Sequence, residues 1–228
     1  MEITVLALAF GKSLLFALAA VLPVINPLAS APVFIDLTRH LSPDTRTQLS
    51  RRIGQHVIEL LVGAMLVGSY VLHFFGISLP IVRVAGGLVV ASIAWRMLGA
   101  QQVTDDDHAQ MAQSVSESNV RIRGFYPLTF PLTCGPGSIA VAITVGASLH
   151  SNRLSESLAN LAGGVVAMVL IGLLVGLTFR YAARLLRPLG EVGQIVFVRL
   201  MAFILLSIGV QIVWEGVSTL LRELGPIG

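Results

Sequence analysis

The sequence predicts an all-α polytopic membrane protein: six transmembrane helices in two inverted three-helix repeats, the first helix of each repeat broken by Pro and Gly. Three observations carry that prediction. The chain as a whole is apolar, one hydrophobic run is too long for a single straight span, and a second proline-broken run occurs in the other half. Hydrophobic residues make up 55% of the 228 and charged residues only 12%, against roughly a quarter charged in an ordinary globular domain. The mean hydropathy is +0.84. The net charge of +3 comes from basic residues scattered between apolar runs, a pattern of membrane topology rather than of a nucleic-acid surface. The single cysteine, Cys134, excludes an internal disulfide framework or a paired-thiol redox site. Glu2, with no basic region before the first apolar run, argues against a removable signal peptide.

Taken in order, Ile3 to about Leu37 is apolar apart from Lys12. A straight helix of that length would rise roughly 50 Å, well beyond a hydrocarbon core of about 30 Å. The break is placed at Pro23 to Pro27, because an internal proline has no amide hydrogen to give the carbonyl one turn upstream. Arg39 to Ile53 reads as polar, with Ser42-Pro43-Asp44 as a helix start. Spans from Val57 to Phe75 and from Leu79 to Leu98 complete a first repeat over residues 1–100. Gln101 to Val120 is hydrophilic and reads as a cytoplasmic connector. The second repeat, 121–228, holds the proline-broken run from Gly124 to Leu149, then spans from Leu158 to Phe179 and from Val192 to Val217. Weak internal likeness supports the division: Glu59-Leu-Leu-Val-Gly63 answers Asn160-Leu-Ala-Gly-Gly164, and Val82-Arg83-Val84 answers Val198-Arg199-Leu200. An odd number of spans per half makes the second enter from the opposite side.

Basic residues set the orientation. The segments after spans one, three and five hold Arg39, Arg46, Arg51, Arg52, Arg96, Arg121, Arg123, Arg180, Arg184 and Arg187, whereas the other side holds Arg153 and Arg222, with Lys12 near the amino end. The richer side is cytoplasmic by the positive-inside rule, so both termini are expected in the periplasm of an inner-membrane protein.

The breaks are the candidate site. Non-helical backbone at membrane depth is tolerated where protein buries it or where it lines a polar cavity, and one broken helix per half points to a transport site near the midplane. The candidate substrate-binding residues are Asn26, Pro27 and Ser30 from the first break, with Thr133, Gly135, Pro136, Gly137 and Ser138 from the second. Half-helix N-termini after Pro27 and Pro136 suit a carboxylate, and freed carbonyls suit an ammonium group or a cation; a zwitterionic amino acid matches both. The competing reading is that both breaks are packing kinks and that the hydroxyls merely satisfy nearby carbonyls. Arg83 and Arg199 fall inside spans at mirrored depths, so they read as gating residues or as partners of a substrate carboxylate. Snorkelling to the headgroups is the alternative. Glu59 could carry a proton, but its counterpart is Asn160, which cannot titrate.

No second histidine lies at ligand spacing from His56 or His73, so no metal site or other cofactor is read. Without a nucleophile and base at matched depth an enzyme is not expected. A small-solute channel stays open as a second class, although no charge ring or carbonyl filter is visible. So does a membrane protein without transport activity.

The ordered set Asn26-Pro27 with Pro32-Val-Phe34, then Phe75-Gly76-Ile77 with Arg83-Val-Ala-Gly86-Gly87, then Pro131-Leu-Thr-Cys-Gly135-Pro136-Gly137-Ser-Ile139, then Arg199 with Gln211, closely resembles the MarC family, which includes the SnatA-type small neutral amino acid transporters. The resemblance covers essentially all six spans. It implies a six-span inner-membrane protein of the broader LysE-like group, with glycine or alanine transport attributed to one branch. Family members commonly carry a glycine at the position of Ala29. Coupling to H+ or Na+, the direction of transport and any oligomer are left open by these residues.

Overall fold

The computed structural model describes residues 2–99, 124–149, 151, 153–186, 188 and 190–223; the connector expected at 101–120 lies outside them. All regular structure among the described residues is helical.

α1 (Glu2–Ile25) and α2 (Pro27–Leu37) are separated by one residue, Asn26, whose φ of 40° lies in the left-handed region. Asparagine tolerates that region better than most side chains, and a residue before proline is already biased away from helical backbone. The break is therefore narrower than the stretch expected from sequence. Pro23 and Pro32 sit inside helices, because a proline ring holds a helix-compatible φ, and each costs its helix one backbone hydrogen bond.

α3 (Pro43–Phe74) starts as the sequence indicates: the Thr45 amide donates to Ser42 Oγ at 3.2 Å, and Pro43 occupies the first turn. It then runs unbroken for 32 residues, so the polar stretch and the second span are one helix rather than two elements. Gly54 is the one weak point at their junction, and it serves close packing. A Cβ added there would lie 2.7 Å from the Gly172 carbonyl oxygen. α4 (Leu79–Gly99) follows.

In the second half a wide-turned helical segment, Gly124–Thr133, contains extended backbone at Tyr126 and Phe130. Then come α5 (Pro136–Ser148), α6 (Leu154–Leu186) and α7 (Gly190–Glu223). Residues 4–35, 43–74, 154–186 and 195–223 form four stretches long and apolar enough to cross a membrane; 79–92 of α4 and α5 are shorter apolar helices.

The helices pack across the two halves. α4 lies along α7 and α3 against α6; α1 and α2 lie on α6, while the Gly124–Thr133 segment and α5 lie on α3. Each broken helix is thus seated mainly on helices of the opposite half. At the α4–α7 crossing the backbones nearly touch: a Cβ on Gly209 would lie 2.7 Å from the Ala91 nitrogen and 3.0 Å from the Gly87 carbonyl oxygen. Such small-residue contacts associate helices in lipid, where burial of apolar surface gives little drive. Phe34 of α2 stacks on Phe179 of α6 with centroids 4.6 Å apart, both fully buried. A polar link joins α1 to α6: Ser13 Oγ donates to Asn160 Oδ1 at 2.9 Å, and Asn160 Nδ2 donates to the Leu149 carbonyl at 3.2 Å.

Candidate functional site

A cleft of about 520 Å³ opens between α1, α4, α5 and α7. It lies at the end of the bundle where α4 begins and where α5 and α7 finish: Arg83 is in the second turn of α4, and Thr144 and Glu215 are near the ends of their helices. One wall is apolar and fine-grained, with Ala19, Ala20 and Pro23 from α1 and Ala140 from α5. Because Pro23 has no amide hydrogen, it cannot complete the helical bond to the Ala19 carbonyl, and both residues border the cleft. The polar groups come from α4, α5 and α7, with Thr144 on α5. Arg83 comes from α4, and Ser207, Gln211 and Glu215 come from one face of α7.

Two of the polar atoms bordering this space are unusual. Arg83 Nε and Thr144 Oγ1 are buried without a hydrogen-bond partner, although a buried polar group left unpaired costs about 1–3 kcal/mol. Gln211 Nε2 donates to Glu215 Oε1 at 3.1 Å, which fixes the carboxylate one turn further along α7. Ser207 Oγ is turned back onto the Phe203 carbonyl at 3.0 Å.

The residues named from the sequence are placed differently. Of the ten, Arg83 alone borders the cleft. Asn26 is half-buried and acts as the joint between α1 and α2, its carbonyl accepting from the Ala29 and Ser30 amides at 3.1 and 3.3 Å. Pro27 is buried and Ser30 half-buried. The Thr133 hydroxyl donates to the Leu128 carbonyl at 2.7 Å, the local satisfaction that the competing reading anticipated. Gly135 and Ser138 are buried and Pro136 exposed. Gly137 makes room for α4 rather than for a solute: a Cβ there would run into the Val90 side chain, and 3.3 Å away stands the Gly86 carbonyl oxygen. Arg199 is exposed on α7, away from the cleft. The two breaks approach through their flanks, since α1 packs on α5 and α2 touches the Gly124–Thr133 segment. Their flanks form the cleft: the last turns of α1 and the body of α5.

Sequence reasoning missed Thr144 and Glu215, and reached Gln211 only through resemblance. An acid inside an apolar helix was the available signal for Glu215. Among the described residues, no cluster of His, Cys, Asp and Glu is arranged to hold a metal ion.

The family model described as "MarC family integral membrane protein" matches residues 11–221. The inner membrane protein MarC of Escherichia coli is 29% identical over 214 residues, covering 92% of this chain and 96% of its own. The protein of the same name from Salmonella typhimurium is 30% identical over 215 residues, with the same coverage of 92% and 96%. No solved structure matches. An apolar helical bundle with spanning helices, matched by the family model over nearly its whole length and by inner-membrane relatives end to end, belongs to the MarC family of integral membrane proteins.

Proposed function

We propose that the protein is a secondary transporter of small neutral amino acids of the glycine or alanine type, working by alternating access in the inner membrane without enzymatic activity. The observation that carries this reading is the unpartnered Arg83 Nε in an intramembrane cleft lined by both halves of the chain. A guanidinium at membrane depth is costly and usually faces a cavity or a pathway, and it offers a carboxylate the fork geometry that the anion prefers. The volume of about 520 Å³ falls within the usual span of small-molecule pockets, about 300–1,000 Å³, and leaves room for water beside a small solute.

On this reading the chain makes six crossings as two inverted repeats, residues 1–100 and 121–228, with both termini periplasmic and the cleft open to that side. Support comes from the packing: the seat of α2 on α6 has its counterpart in α5 on α3, and that of α1 on α6 in the Gly124–Thr133 segment on α3. Closing of the cleft and opening at the other end would then be driven by the substrate together with H+ or Na+.

Liposomes containing the purified protein should show saturable uptake and counterflow of radiolabelled glycine or alanine, and Arg83→Gln should raise the half-saturating concentration roughly ten- to a hundredfold, the loss of one charge-assisted hydrogen bond. Flux that neither saturates nor shows counterflow would identify a channel instead. Undiminished transport by Arg83→Gln would remove the arginine from the site.

A further inference from the structure

The cleft holds a second charge, and the proposed function makes no use of it. We infer that Glu215, fixed by Gln211, is the subsite for the cationic group of the solute, so that the protein selects dipolar ions over both simple carboxylates and simple amines. This rests on the reading of the cleft as the transport site.

Arg83 and Glu215 are delivered by neighbouring points on one tightly packed helix pair. Gly216, next to Glu215, lies so close to α4 that an added Cβ would be 2.8 Å from the Pro80 carbonyl oxygen and 3.0 Å from the nitrogen of Val84, the residue after Arg83. Opposite charges brought in this way would be expected to join in a salt bridge if their only task were to neutralise each other in a membrane. They do not. Neither makes an ion pair among the described residues, Arg83 Nε has no partner, and the Glu215 carboxylate accepts from the neutral Gln211 side chain. Both border the same space.

A cleft that keeps a free cation and a free anion at a spacing set by backbone contact is complementary to a molecule that carries both signs. A carboxylate ligand would pair with Arg83 and leave Glu215 facing it as an uncompensated like charge. An amine ligand would leave Arg83 in that position. Only a dipolar ligand satisfies both, and discrimination by an uncompensated charge is the stronger half of such specificity. An ammonium group has three protons to place, and the Glu215 carboxylate is the acceptor of opposite charge that borders the cleft.

The test uses three probes of nearly equal size: glycine, glycolate with a hydroxyl in place of the ammonium, and glycinamide with an amide in place of the carboxylate. Binding of each to the purified full-length protein is measured by calorimetry, for the wild type and for Glu215→Gln, Glu215→Asp and Arg83→Gln. The wild type should prefer glycine to either analogue. Glu215→Gln should weaken glycine at least tenfold and shrink the preference over glycolate by at least the same factor, while leaving its preference over glycinamide. Arg83→Gln should do the reverse, and Glu215→Asp, which keeps the charge, should keep the order of preference.

A Glu215→Gln protein that retains the wild-type ratio of glycine to glycolate within threefold overturns this inference and leaves the transport reading standing. A wild type that binds none of the three overturns both. If Glu215→Gln does not fold, the Glu215→Asp ratio decides: loss of discrimination with the charge retained also overturns it.

Discussion

Adding one methyl group at Gly209 should loosen the whole bundle, whereas the same methyl at Gly63 should tighten it. Around Gly209 an added Cβ would stand 2.7 Å from the Ala91 nitrogen, 3.0 Å from the Ala91 Cα and 3.0 Å from the Gly87 carbonyl oxygen. All three are backbone atoms, so no side chain can rotate away, and α4 and α7 must separate along the contact that joins them most extensively. Overpacking of this kind costs about 1–3 kcal/mol. Around Gly63 nothing lies within 4 Å, so alanine there brings only its better helix propensity, about 1 kcal/mol. The chain supplies its own reporter, because its single cysteine, Cys134, is fully buried. A dye that fluoresces on reaction with thiols should respond to unfolding alone. At about 2–4 °C per kcal/mol for a chain of this size, Gly209→Ala in detergent should melt roughly 2–12 °C below the wild type, and Gly63→Ala should melt at the wild-type temperature or a few degrees above it. If Gly209→Ala melts no lower than Gly63→Ala, the close crossing of α4 and α7 is wrong.

Two further substitutions bear on particular joints. Asn26→Gly should preserve melting temperature and glycine binding, since glycine adopts the φ of 40° without strain, whereas Asn26→Val should destabilise by more than about 1 kcal/mol; weakened glycine binding in the Asn26→Gly protein, with melting unchanged, would return Asn26 to the substrate site. Asn160→Ala should strand both Ser13 Oγ and the Leu149 carbonyl and lower stability by about 0.6–2 kcal/mol, more than Ser13→Ala, which removes only one of the two bonds; equal melting of the two variants would contradict that ranking.

What could be read in the sequence depended on whether a residue's meaning is local. Proline chemistry is local, so both broken runs were found, as was the start of α3 at Ser42, where cap, proline and acid adjoin. Arg83 stood out because a charge in an apolar run is conspicuous wherever it points. The continuity of α3 was hidden by its polar first three turns, which read as a separate element from the span although their buried side, Leu49 and Ile53, belongs to the same helix packed on α6. Glycine is ambiguous in a single sequence: it admits either a ligand or another helix, and at Gly137 the neighbour proved to be Val90. Glu215 and Thr144 are polar residues on helices apolar on nearly every side, and which face meets the cleft is fixed by how α1, α4, α5 and α7 pack. The prolines were also misjudged in one respect. Pro23 was expected to end a helix, yet it stays inside one and acts through the carbonyl it leaves behind.

The seating of each broken helix on the opposite half bears on how the protein is made. The chain leaves the ribosome from its amino end, so α1 and α2 enter the bilayer before α6, their principal seat, has been translated. α3 and α4 wait likewise for α6 and α7. Until then the bare backbone at Gly54 and Gly87 faces lipid, and the first half remains a set of separately inserted helices rather than a folding intermediate with a core of its own. The most extensive contacts, of α4 with α7 and of α3 with α6, run between the two halves of the sequence. A gene cut in the stretch between α4 and the Gly124–Thr133 segment would therefore encode two fragments, each a partner to the other and neither a domain alone.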